Sequence, residues 1–374
     1  LPVSHSDQGA RGPQALLNFE RMQFSGSLQG YLNDFRAEGR LHTSLGSMQA
    51  NLSIQQISQM DELGYEGWLQ VSALDLGSMF PDQQGFGRIS LDAEIKGKGL
   101  SLASLETHMQ GSISLLEFSG YTYRNMQLAG DISNKRFSGL MQIRDEHIKL
   151  DFAGVIDFDQ DIPLMDFQAQ LQDANLSRLG IYARKPESES VISARLDMNA
   201  RASSLDDMQG SILVSDLRYG EVLSEASSGL DEPRINWLYE TSQIRLSNSI
   251  TYGDNTHLVL ESDFLDADLD GRIDFAFLGT TIRSFVNYFV PAVTEGAQDE
   301  FHVFSGPLPE QYFSGLFTFK ETATLSALFF PVLHIAQGSC LHIDVDASQM
   351  QLRLQLDTDT LVLAGREFHS WLLN

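Results

Sequence analysis

Cysteine and basic residues are both scarce in this chain. Cys340 is the one cysteine in 374 residues. The chain has 25 Lys and Arg against 50 Asp and Glu, which gives a formal net charge of −25. One cysteine excludes an internal disulfide framework and cannot report the redox compartment. Nucleic acid and anionic bilayer surfaces both attract clustered positive side chains. We therefore expect no nucleic-acid partner and no adsorption to an anionic membrane.

Long hydrophobic runs are absent as well. The densest one, over 325–336, is interrupted by Pro331, whereas a membrane-spanning helix needs about 20 apolar residues. The chain starts at Leu1, and its first dozen residues are polar and rich in glycine, without the apolar segment of a signal peptide. We expect a mature or excised internal piece, with any anchor outside it.

Composition leaves room for a real core. Hydrophobic residues make up 42% of the chain and charged residues 20%, too apolar a balance for a disordered protein. The length suits two or three ordinary domains or one elongated, repetitive domain. The polar loop KPESES over 185–190 is a soft boundary, so we predict one segment over 1–184 and its continuation over 191–374.

Strict alternation of apolar and polar residues is the main structural signal. It is clearest over 265–277, where the apolar or small positions are Leu265, Ala267, Leu269, Gly271, Ile273, Phe275 and Phe277. This is the period of a strand with one face in water. The period then changes to that of a helix, predicted over 282–290 with its cap at Thr280 or Thr281. A second short helix is predicted over 324–330.

The remainder of the chain reads as strands with short turns, about twenty in all, without a fixed-period repeat. Aromatic-Ser-Gly or Tyr-Glu-Gly recurs at 24–26, 65–67, 118–120, 137–139 and 313–315, where it is interpreted as a strand opening. We predict an all-β fold: an elongated, curved antiparallel sheet that forms a U-shaped groove, with two or three short helices. A closed β-sandwich is the alternative, but small residues such as Ala93 and Ala267 leave room that a sandwich core would fill.

A groove of this kind can hold acyl chains without any catalytic group, because each buried methylene gains about 0.8 kcal/mol. Each candidate lining residue could equally be ordinary sheet core. The candidates are Leu91, Ile95, Phe152, Leu171, Leu196, Met198, Leu269, Ile273, Phe275, Ile343, Val345, Leu352 and Leu354.

Motifs for other chemistry are incomplete. The run from Asp266 to Gly271 matches the opening of an EF-hand loop, but position 12 is Phe277 where calcium needs a Glu. Cys340, His342, Asp344 and Asp346 share one strand face without a second ligand cluster. Walker, dinucleotide-binding and nucleophile-elbow motifs are missing. We expect neither an enzyme nor a metal or cofactor.

Four stretches in order carry a family resemblance: FSG at 24–26 with DF at 34–35, YEG at 65–67 with LDLG at 74–77, FLDADLDGRIDF at 264–275, and FFPVLHIAQG at 329–338. They resemble the middle of the TamB-type translocation and assembly proteins of Bacteroidota, which belong with the AsmA-like envelope proteins. The resemblance covers about 24–374.

The resemblance implies a U-shaped β-groove in the periplasm, tethered to the inner membrane by an anchor that this sequence lacks. The implied role is outer-membrane biogenesis: conducting phospholipid, whose acyl chains are the bound partner, and assisting the assembly of outer-membrane proteins. A barrel protein of the outer membrane is the implied protein partner, through regions outside this piece. The alternative function is a non-enzymatic β-sandwich that binds or adheres in the bacterial envelope and has no lipid cavity.

Overall fold

The fold is all-β, as the alternation predicts. The computed structural model describes residues 21–31, 33–55, 62–79, 85–99, 104–182, 188–222, 235–250, 255–275, 277–278, 281, 310–321, 323, 333–363 and 366–373. Twenty strands belong to one open sheet, and every strand pair with a defined register is antiparallel.

The chain forms two compact units. Unit 1 consists of Leu1–Asp159 and Ala169–Val191, and unit 2 of Gln160–Gln168 and Ile192–Asn374. The soft boundary predicted at 185–190 stays a prediction, and 185–187 lie outside the described residues.

Unit 1 contains the first nine strands, and β10 contributes residues to both units. The bounds are β1 (Met22–Tyr31), β2 (Asp34–Thr43), β3 (Gly46–Gln55), β4 (Gly64–Asp75), β5 (Phe86–Lys98), β6 (Glu106–Phe118), β7 (Tyr121–Ser133), β8 (Arg136–Arg144), β9 (Lys149–Asp157) and β10 (Leu164–Asn175).

Unit 2 contains the later strands, apart from the first two residues of β11. They are β11 (Ser190–Arg201), β12 (Gln209–Val222), β13 (Ile235–Ile250), β14 (Thr256–Ser262), β15 (Leu265–Arg272), β16 (Tyr312–Phe319), β17 (Leu333–Ile335), β18 (Cys340–Asp346), β19 (Gln351–Leu363) and β20 (Arg366–Leu373).

Within each unit the strands form a meander. From β1 to β9, each strand pairs with the next one along the chain. In unit 2 the same holds from β12 to β16, after which β16 pairs with β18, and β17 and β18 both pair with β19. Among the described elements, the strands chiefly contact the strands with which they pair.

The connection between β4 and β5 contains one helical turn, α1 (Leu76–Met79). Asp75 caps this helical turn: its carboxylate accepts bonds from the Ser78 amide at 3.0 Å and from the Ser78 hydroxyl at 2.7 Å. These bonds hold the pKa of Asp75 below its ordinary value. Leu76 and Met79 pack against the buried pair Val71 and Leu74.

The strand predicted over 265–277 is too long. This part of the chain contains β14 and β15, and the Ser262 hydroxyl donates to the Leu265 carbonyl at 2.6 Å in the turn between them. The second strand ends at Arg272, and Phe275 and Phe277 are helical. Asp274 acts as the helix cap, since its carboxylate accepts the Phe277 amide at 3.1 Å.

The helices predicted over 282–290 and 324–330 lie outside the described residues.

The aromatic-Ser-Gly motif has a structural reason at two of its positions. The Phe24 ring covers Gly26 and also Gly39 on the neighbouring strand. Its carbon atoms lie about 3 Å from the position that a Cβ atom on either glycine would occupy. Phe137 covers Gly130 in the same way. The motif at 118–120 does not open a strand: Phe118 ends β6, and the next two residues form the turn.

Candidate binding face

Register places the apolar side chains of unit 1 on one face of its sheet. Residues directly opposite each other on paired strands share a face, so a row can be followed from strand to strand. One row crosses all nine strands without a polar residue. Its members are Phe24, Leu41, Met48, Val71, Leu91, Ile113, Met126, Ile143 and Leu150.

Two further rows, two and four residues along each strand, are also entirely apolar or glycine. The second row is Gly26, Gly39, Ala50, Leu69, Ala93, Gly111, Leu128, Met141 and Phe152; the third is Leu28, Ala37, Leu52, Gly67, Ile95, Met109, Gly130, Gly139 and Gly154. These three rows are the apolar face of unit 1.

A fourth row brings the first hydroxyl groups to this face. Tyr65 and Thr107 lie either side of Gly97, and their hydroxyls are hydrogen-bonded to each other. Burial raises the pKa of Tyr65 above its ordinary value. Since each hydroxyl is satisfied by the other, neither adds an unpaired polar group to the apolar face.

Unit 2 repeats the arrangement over β13, β14, β15, β16, β18 and β19. One row is Leu246, Leu260, Ala267, Phe317, Leu341 and Leu356; the next is Asn248, Leu258, Leu269, Gly315, Ile343 and Leu354; the third ends in Gly271, Phe313, Val345 and Leu352. These rows are the apolar face of unit 2. Its core consists of the buried residues Leu258, Leu269, Ile273, Phe313 and Val345.

The loop before β12 and the helical segment after β15 meet at one end of this face. Phe275 and Leu278 pack on the core of unit 2. The Phe275 amide donates to the Asp206 carboxylate at 2.6 Å, and the Asn248 amide group donates to the Met208 carbonyl at 2.9 Å. Met208 is fully buried. The end of the face is therefore covered by chain rather than open to water.

The opposite faces are charged. In unit 1 the ion pairs Lys96–Glu66 and Lys98–Glu106 measure 3.0 and 3.1 Å. Arg88 binds Glu117 at 2.7 Å, and these hydrogen bonds hold the pKa of Glu117 below its ordinary value. Solvent screens such exposed pairs, so each adds little stability, but together they keep this side of the sheet in water.

Every predicted lining residue is buried or half-buried. Phe152, Leu269, Ile273 and Val345 are buried, and the other nine are half-buried. In unit 1, Leu91, Ile95 and Phe152 share the apolar face, and the ring of Phe152 lies 5.9 Å from that of Phe137.

The structure gathers many of these residues into one cluster. In unit 2, Leu269, Ile273, Phe275, Ile343, Val345 and Leu352 meet in the core, and Leu354 lies opposite Ile343. Leu171, Leu196 and Met198 belong to none of the described core clusters, which are the core of unit 2, the cluster around Val71 and Leu74, and the cluster of Ile113, Met126 and Ile143.

The sequence prediction missed several residues of these faces. Five buried side chains of these clusters were not among the candidates. They are Phe313 and Leu258 in the core of unit 2, and Ile113, Met126 and Ile143 in unit 1. Phe313 belongs to the repeated aromatic-Ser-Gly motif, which was a usable signal. Pairing register, which a single sequence does not give, is what places the others in line with the predicted residues.

Comparisons with known proteins add no family to this picture. No family model, curated protein or solved structure matches the chain. None of the helical segments that the structure describes has the length and hydropathy to cross a bilayer.

Proposed function

We propose that the apolar faces of the two units bind the acyl chains of phospholipid. The observation that supports this is the run of apolar rows across β1–β9 in unit 1 and across β13–β16, β18 and β19 in unit 2. Such a face gains free energy by contact with hydrocarbon, about 0.8 kcal/mol for each methylene removed from water. Eight methylenes in contact would contribute about 6 kcal/mol before the entropy of ordering the chain.

The charges fit the same proposal. With a formal net charge of −25, the protein is repelled by anionic membrane surfaces, so it stays in solution while hydrocarbon occupies the apolar face. Head groups would remain at the edges of the sheet in water, where no dedicated pocket is needed.

The biological role that we propose follows the family resemblance: a groove protein of the periplasm that conducts phospholipid between the inner and outer membranes and assists outer-membrane protein assembly. A barrel protein of the outer membrane is the proposed protein partner. No catalytic step is needed for this role, so the protein is proposed not to be an enzyme.

Native mass spectrometry of protein purified without detergent, followed by solvent extraction and lipid analysis, tests the proposal. Two double variants in the same two strands make a matched comparison. Leu128 and Met141 face each other on the apolar side, and Ala129 and Leu140 face each other on the charged side, one residue along. Leu140 is 57% exposed, whereas Met141 is half-buried.

We expect Leu128→Glu with Met141→Glu to reduce the bound phospholipid strongly, because two carboxylates would face the hydrocarbon. Ala129→Glu with Leu140→Glu should retain it. Far-UV circular dichroism checks that both proteins are folded. A folded wild-type protein that carries no lipid and takes up no fluorescent acyl probe would overturn the proposal, as would equal loss in both double variants.

A further inference from the structure

One group of potential metal ligands stands out on the charged face of unit 2. His257 on β14 lies directly opposite Asp270 on β15, and Asp268 is two residues back on the same side of β15. Their ligand atoms lie within 4.8 Å of one another. Among the residues that the structure describes, this is the one such group of three or more His, Cys, Asp or Glu side chains.

The distances suit a metal ion. His257 Nδ1 lies 2.9 Å from Asp270 Oδ1 and 3.5 Å from Asp268 Oδ1. Around a tetrahedral Zn²⁺, with bonds of about 2.0–2.2 Å to nitrogen and oxygen, two ligand atoms stand about 3.4 Å apart. Small side-chain adjustments would therefore give three ligands on one side of the ion, with water on the other.

The charge balance at this place differs from that of the surrounding face. Two nearby carboxylates have a permanently charged partner: Asp266 binds Lys320 at 2.6 Å, and Glu261 pairs with Arg245 at 3.7 Å. In the described ion pairs, Asp268 and Asp270 share one partner, His257. The group brings two carboxylates together in a protein that is already strongly acidic, and a divalent cation would neutralise both.

We propose that His257, Asp268 and Asp270 form a Zn²⁺ site. The nitrogen ligand favours zinc over calcium or magnesium, which prefer oxygen and, for calcium, six to eight ligands. The ligands come from adjacent strands, so the ion links β14 to β15 on the side opposite the Leu258–Leu269 contact. This inference does not rest on the proposed lipid function, and it departs from the expectation that the chain holds no metal.

Co²⁺ and Zn²⁺ titrations of the full chain without a polyhistidine tag test the site. Bound Co²⁺ in a site of low coordination number gives visible d–d absorption, and Zn²⁺ should bleach it with a stoichiometry of one per chain. Calcium should not displace Co²⁺. Occupied protein should also unfold at a higher temperature, because the metal binds the folded state.

Variants separate this site from adventitious binding. His257→Gln and Asp270→Asn should each weaken Zn²⁺ binding by at least about tenfold. His342→Gln is the matched control: His342 and Asp344 form a similarly exposed pair 3.7 Å apart on β18, outside the three-residue group. The three substituted side chains are all well exposed, so each variant should fold, and circular dichroism verifies this. No Co²⁺ spectrum in the wild-type protein, or equal weakening by His342→Gln, would overturn the inference.

Discussion

Phe313→Ala should be the most destabilising single truncation in unit 2. Phe313 is 7% exposed and lies between Gly271 and Val345 in its row, in the core with Leu269 and Ile273. Removing the ring loses about 120 Å² of buried apolar surface, which corresponds to about 3 kcal/mol of unfolding free energy at about 25 cal/mol per Å². The cavity left beside a glycine cannot be filled by that neighbour, which adds about 1 kcal/mol.

The neighbouring residue provides the control. Tyr312 is 47% exposed on the charged face, and its hydroxyl donates to Asn255 at 2.9 Å. Tyr312→Ala should therefore cost only about 1 kcal/mol. Urea unfolding followed by tryptophan fluorescence measures both changes, since Trp237 reports from unit 2, where the Arg218 guanidinium lies 3.9 Å from its ring centre. Equal effects of the two variants, or a Phe313→Ala effect below about 1 kcal/mol, would refute the assignment of the two faces.

Two further predictions concern the backbone and a helix cap. Gly271→Ala should destabilise unit 2 by at least about 2 kcal/mol, because Gly271 has a φ of 139° and an added Cβ would lie 2.3 Å from the Tyr312 carbonyl oxygen. Gly338→Ala, where no atom lies within 4 Å, should cost about 1 kcal/mol from its positive φ alone; thermal unfolding compares the two, and the reverse ranking would contradict the reasoning. Asp75→Ala should cost about 1 kcal/mol at pH 7. The pKa of Asp75 is lowered in the folded protein, so its stabilisation is complete above the ordinary value of 3.8 and is lost as the pH falls through the folded value. Urea midpoints for wild type and variant should therefore converge in acid, and a gap that does not narrow would show that the carboxylate is not the cap.

Strand existence was predictable from the sequence where one face is in water throughout. The alternation in β5 and β15 gave both the strand and the correct side for Leu91, Ile95 and Leu269. The all-β fold with about twenty strands follows from such segments, because each commits its side chains to two faces.

The same pattern fails where the backbone departs from it. The pattern is weak in β12, which has a residue at positive φ, Asp216, and a bulge between Tyr219 and Gly220. Nearly all of its side chains are half-buried, so polar and apolar residues do not alternate cleanly. Phe275 continues the apolar alternation of β15 although it lies beyond the end of that strand. The cap at Asp274 starts a helix there, and the apolar positions that follow are the same ones that a longer strand would have.

The candidate faces were predictable only in part. A strand pattern tells which residues share a side of their own strand, but pairing register decides which residues of other strands join them. The position of His257 beside Asp270 was therefore not predictable, because the two residues lie on different strands. Cys340 and His342 lie on one strand, and so they could be considered as a metal site from the sequence.

The meander has a consequence for how the protein acquires its structure. Each strand from β1 to β9 needs only the strand before it as a template, so most pairings close short loops with a small entropic cost. Low sequence separation of contacts speeds folding, and all-β proteins with distant pairings are slow by comparison. A chain that emerges residue by residue from the ribosome can therefore add one strand at a time, without waiting for its C-terminal half.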